Sequence, residues 1–194
     1  MNFNDHFKTA WHLTINTIVP LIILTLVMFG ICILTLGLLA PPMMAGYTYA
    51  LLRLIRERRE PQINDLFSQM KLFLPLLGFT TAAFILTGIG FLILFIPGLV
   101  MTLALAFCCI YMVPLMVDQD MKLVDALKES YSMAVNGEVM DHLVLVILYF
   151  GIIAIGSSIF VGLIFALPFA TLLLLLVYEE KNRPSHPITG SDSP

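Results

Sequence analysis

Between residues 73 and 117 the chain carries no Asp, Glu, Lys or Arg. Pro97 and Gly98 divide this stretch into two apolar runs, 73–96 and 99–117. An apolar run of about 20 residues is long enough to cross the hydrocarbon core of a bilayer as a helix. Proline cannot continue the first helix and glycine permits a tight reversal, so the pair predicts a transmembrane hairpin. Composition agrees. Of 194 residues 59% are hydrophobic and 12% are charged, against about 25% charged in a soluble domain. The mean hydropathy is +0.96. Such a chain could not cover a water-facing surface, and its length suits one membrane domain, 1–183, followed by a disordered polar tail, 184–194.

The rest of the chain repeats the pattern. Residues 2–11 read as a short amphipathic helix with Phe3, Phe7, Ala10 and Trp11 on one face. A long apolar run, 13–39, follows, with Pro20 expected to kink it. Pro41 and Pro42 are expected to form a turn, and 43–55 a short second span. A second amphipathic piece, 63–71, places Ile63, Leu66, Phe67 and Met70 together and leads into the central hairpin. A third, 123–134, places Leu123, Leu127, Tyr131 and Ala134 together. It leads into a hairpin of 142–156 and 159–178, with Gly156, Ser157 and Ser158 at the bend.

Asp5, Asp65 and Asp125 recur at intervals of 60 residues, each within an amphipathic piece. The expected bends near Gly37, Pro97 and Ser157 keep the same interval, as do Glu60, Asp120 and Glu180. Three units, 1–60, 61–120 and 121–180, are therefore expected, each an interfacial helix followed by two spans. The fold class is an all-α integral membrane protein with six transmembrane helices as three hairpins. If the units are real, they are parallel repeats about an axis along the membrane normal.

All ten basic residues (Lys8, Arg53, Arg56, Arg58, Arg59, Lys71, Lys122, Lys128, Lys181 and Arg183) lie before, between or after the hairpins. The bends carry no charge. The positive-inside rule places both termini and both long loops in the cytoplasm. The amino terminus opens on Asn2, Asn4 and Asp5, and its apolar run is too long for a signal peptide.

Intramembrane carboxylates and bases usually mark proton, ion or substrate paths. Apart from Arg53 at the end of 43–55, none falls inside these runs, which argues against proton-coupled transport, an intramembrane carboxylate protease and a metal-dependent membrane enzyme. No cofactor or metal site is expected. His6, His12, His142 and His186 lack a metal-ligand spacing and read as interfacial residues facing water or headgroups. Cys32, Cys108 and Cys109 read as packing residues, and Ser157–Ser158 as a bend. The net charge of −3 gives nucleic-acid binding no electrostatic support.

Arg53, Arg56, Arg58 and Arg59 form the only basic cluster. It serves either as an anionic-lipid contact, each base contributing on the order of 1 kcal/mol near the surface, or as a topology signal alone. Gly162, Ala166 and Ala170 recur at four-residue spacing, as do Gly46 and Ala50, and Gly78 and Ala82. Small residues so spaced let membrane helices approach closely, and packing within the chain is the expected use. Asn16, Thr17, Thr25, Tyr47, Thr48 and Tyr49 either bond across the first hairpin or line a shallow polar path.

Several runs also carry a resemblance: Pro41-Pro42-Met43-Met44-Ala45-Gly46, Leu51-Leu52-Arg53, Asp65-Leu66-Phe67, Gly88-Ile89-Gly90 through Ile96-Pro97-Gly98, and Val124-Asp125-Ala126-Leu127-Lys128-Glu129-Ser130. Over residues 40–135 the chain resembles uncharacterised prokaryotic membrane families. These include the YciC-like inner-membrane proteins and the membrane domain attached to some glycerophosphodiester phosphodiesterases. The resemblance implies a polytopic protein of the cytoplasmic membrane and supplies no catalytic residues. The leading expectation is a non-enzymatic protein acting through its cytoplasmic rim on membrane lipids, other membrane proteins or itself, in envelope organisation or as a subunit of an assembly. The alternative is a small transporter, channel or lipid-moving protein with a path along the repeat axis. A membrane enzyme ranks third, with His12, Asp141 and His142 as its only candidates.

Overall fold

The computed structural model describes residues 3–135, 139–158 and 160–182. The described residues are mostly helical, with no strand among them. The helices are α1 (Phe3–Asn16), α2 (Ile18–Leu34), α3 (Ala40–Glu57), α4 (Ile63–Phe67), α5 (Phe73–Ile93), α6 (Phe95–Cys109), α7 (Met112–Asp118), α8 (Leu123–Val135), α9 (Val139–Ser157) and α10 (Phe160–Asn182). A 3-10 turn, Met70–Leu72, joins α4 to α5. The tail at 184–194, with His186, lies outside the described residues.

Five prolines sit at helix starts rather than at turns. Pro20, Pro42, Pro75, Pro97 and Pro114 are each the third residue of their helix, in α2, α3, α5, α6 and α7. The first four N–H groups of a helix have no partner within it, so a residue without an N–H loses nothing there. Three sequence expectations shift accordingly. The central reversal falls not on Pro97–Gly98 but at Leu94, which is extended (φ −162°, ψ 151°). The first reversal falls at Leu36 and Gly37, with φ of 51° and 81°, as expected near Gly37, while Pro41 and Pro42 form no turn but open α3. Pro20 does not kink a continuous span; α1 ends at Asn16, and α2 leaves it at 83°.

Four helical segments are long and apolar enough to cross a membrane: Ile63–Ile93, Phe95–Asp118, Val139–Ser157 and Gly162–Asn182. The bent α1–α2 pair makes a fifth if it is one span. Helix α3 is not among them, because Arg53, Arg56 and Glu57 occupy its last turns. It is instead the buried centre. Met43, Tyr47, Leu51 and Leu54 of α3 pack in one core with Leu66 of α4, Leu115 and Met116 of α7, and Leu172, Leu175 and Tyr178 of α10. Helices α5 and α6 contribute little to that core, and Phe84, Leu92 and Phe95 stand exposed on them. Large apolar side chains turned outward over whole helices call for an apolar surrounding.

The packing follows a rule. Helices α4 and α5 pack on α3; α8 packs on α7 and α6, and α9 on α6; α1 and α2 pack on α10. Within the hairpins, α2 meets α3, α5 meets α6, and α9 meets α10.

Candidate functional site

The charged ends of α3, α7 and α10 converge on Arg56. Its Nε donates to Glu179 Oε1 at 2.7 Å, and its Nη2 to Asp118 Oδ2 at 2.9 Å. Its Nη1 also bonds Asp118. Tyr178 donates its hydroxyl proton to Asp118 Oδ2 at 2.9 Å. A planar guanidinium suits this joint, because its donors point in two fixed directions at once. Arg59 Nη2 reaches both oxygens of Asp65, at 2.7 and 2.8 Å. Asp65 in turn accepts the Gln62 N–H at 3.0 Å and closes the capping box that starts α4. Lys71 pairs with Asp120, and His6 with Glu180.

Of the four arginines singled out in the sequence, the structure therefore fastens Arg56 and Arg59 to carboxylates on other elements. Arg53 stays at the surface, 3.8 Å from Glu57 and 4.9 Å from the Tyr49 ring centroid. Arg58 ends α3 in the left-handed region (φ 55°) and is exposed. Between the end of α3, the 3-10 turn and the end of α7 lies a polar cleft of about 410 Å³.

A second polar centre forms where α6 gives way to α7. Pro114 has no N–H to offer the Ile110 carbonyl, and the helix is interrupted at Ile110 and Tyr111. Side chains from the next two helices meet the freed groups. His142 Nε2 lies 2.8 Å from the Phe107 carbonyl oxygen, and Ser130 Oγ donates to the Cys108 carbonyl at 2.6 Å. The Tyr111 N–H donates to Ser130 Oγ at 3.3 Å. His142 and Ser130 are fully buried. To donate to a carbonyl His142 must carry its proton on Nε2, which leaves Nδ1 bare, and Nδ1 has no partner. The expectation that this histidine faces water or headgroups is therefore corrected. His12 lies apart, bonded through Nδ1 to Asn16 at 2.7 Å.

Beside the broken helix is a mainly apolar cleft of about 240 Å³, walled by Ala106, Ile110 and Pro114 and closed by Thr48, Tyr149 and Thr171. Thr48 and Thr171 turn their hydroxyl protons to carbonyls of their own helices, at Met44 (2.9 Å) and Leu167 (2.8 Å). In the first hairpin Thr25 and Tyr47 bond each other across α2 and α3 at 3.0 Å. Gly162 and Ala166 lie against Gly156 of α9, where a Cβ on Gly156 would overlap Ala166, and Ala170 is fully buried. Gly46 lies against the Leu66 backbone of α4, whereas Gly78 faces open space. Among the described residues no group of three or more His, Cys, Asp or Glu side chains is placed to hold a metal ion.

Sequence reading missed Ser130 and the Arg56 joint. Asp118 and Glu179, acids just past the ends of apolar runs, were the available signal for the joint; nothing local distinguishes Ser130. Comparison with protein-family models, curated proteins and solved structures finds no match to this chain.

Proposed function

We propose that the chain is a multi-pass protein of the prokaryotic cytoplasmic membrane that performs no catalysis and acts as a scaffold. In this reading six helices cross the bilayer, α3 among them, with both termini cytoplasmic. The charged rim works on lipid headgroups and neighbouring membrane proteins. The observation that carries this is the closure of the packing. The elements that open each 60-residue unit rest on the helices that close the preceding one, and α1 and α2 rest on α10 to complete the circle. Arg56 joins the three closing helices at one point. A threefold repeat with its axis through α3, α7 and α10 accounts for both. A fastened centre with its charges paired suits a scaffold better than a permeation path. Kinship with the YciC-like membrane families fits the same reading.

The test is reconstitution of the full-length protein into liposomes. Release of encapsulated ions and small solutes is expected at the rate of protein-free liposomes. Rapid release would overturn the scaffold. The 240 Å³ cleft favours a second reading, because broken helices in transporters lie where irregular backbone lines a cavity. On that reading the same liposomes move solute or flip labelled lipid.

A further inference from the structure

The polar cleft at the rim is electrically balanced. Its walls hold three cations, Arg53, Arg56 and Lys71, and three carboxylates, Glu57, Asp118 and Asp120. We propose that this cleft binds the headgroup of a zwitterionic phospholipid, one carrying a phosphate and a primary ammonium. The proposal rests on the membrane reading above, which puts the cleft at headgroup level. Lys71 lies just before α5 within the segment Ile63–Ile93, and Asp120 lies just after the segment Phe95–Asp118.

Charge decides the ligand class. A purely anionic headgroup attracted by Arg53 and Lys71 would be repelled by Glu57 and Asp120. A ligand with one charge of each sign meets a partner for both. The cleft's volume lies within the range of small-molecule sites, about 300–1,000 Å³. Its back wall is fixed, since Arg56 and Asp118 are held by Glu179 and Tyr178. The outer pairs are free to open. The Lys71 and Asp120 side chains are 56% and 72% exposed, and Arg53 meets Glu57 only at 3.8 Å. Exposed pairs of this kind contribute little, so a ligand can replace each partner at small cost.

Gln69 supplies the second observation. It lines the cleft, is 6% exposed, and its Oε1 has no hydrogen-bond partner. A buried amide oxygen without a donor is costly, and an ammonium N–H is the donor it lacks. The assignment places the phosphate on Arg53 and Lys71, and the ammonium on Asp120 and Gln69 Oε1.

The test is lipid retention by the full-length protein, measured by native mass spectrometry after extraction from mixed bilayers. The bilayers hold equal parts phosphatidylethanolamine, phosphatidylglycerol and phosphatidylcholine. Phosphatidylethanolamine is expected to be retained several-fold over both others, because phosphatidylglycerol lacks the cation and phosphatidylcholine has no N–H to donate. Asp120→Asn should reduce that preference several-fold, and Lys71→Gln should lower the retention of all three lipids, both at unchanged thermal stability. Asparagine tolerates the left-handed backbone at position 120, where φ is 50°. Equal retention of the three lipids, or a preference that survives Asp120→Asn, would overturn the site. Liposome leakage would remove the scaffold reading and leave this headgroup preference intact, so the two failures are distinguishable.

Discussion

Single residues carry more of this fold than hydropathy suggests. Gly46 is the clearest, because α4 lies across its bare Cα. A methyl group there would overlap the Leu66 carbonyl, and backbone cannot swing aside as a flexible side chain does. Gly46→Ala is expected to destabilise the protein by about 1–3 kcal/mol, read as a lower Tm in detergent. Gly78→Ala meets open space and should leave Tm unchanged. Both glycines sit in small-residue pairs at the same spacing, so the sequence treats them alike; only tertiary placement separates them. Arg56→Ala should cost about 1–3 kcal/mol, because Asp118 and Glu179 lose their shared donor. Arg56→Lys should recover little of it, since an ammonium cannot fork to two carboxylates. The prolines show why local reading misplaces turns. A proline is compatible with the end of one helix and with the first turn of the next, and Pro20, Pro42 and Pro97 take the second role.

Among the elements, α3 and the α6–α7 pair depart most from expectation. Hydropathy finds charge-poor runs and so finds α5, α9 and α10 close to their expected bounds, and α6 and α7 as one run. It undervalues α3, most of whose apolar residues are buried while Arg53, Arg56 and Glu57 share its last turns. The break after Cys109 was hidden for a different reason. An apolar run looks continuous whether or not its backbone bonds are, and the groups that make the break tolerable lie on α8 and α9. Ser130→Ala leaves the Cys108 carbonyl without its donor and the Tyr111 N–H without its acceptor. The expected loss is about 1–3 kcal/mol. Hydrogen exchange should show it as faster exchange around Tyr111, ahead of global unfolding. Unaltered exchange there would mean that the break needs no support from α8.

For the whole molecule, the charged ends of α3, α7 and α10 meet at one joint, and α5 and α6 turn large apolar side chains outward. That charge gathers at the ends of apolar runs was readable in the sequence from the placement of the ten bases. Which base meets which acid was not, because Arg56, Asp118 and Glu179 are brought together only when the chain closes on itself. The central claim is that the bilayer is this chain's solvent and that the charged rim lies on its cytoplasmic face. Substituted-cysteine labelling tests it directly, after Cys32, Cys108 and Cys109 are replaced by alanine. Cysteine is then placed singly at Leu36 and Ser158, at bends, and at Gln62 and Met121, on the rim. With a membrane-impermeant maleimide on intact cells, the bend positions are predicted to react, and the rim positions only after the membrane is opened. Labelling of Gln62→Cys or Met121→Cys in intact cells would contradict the account.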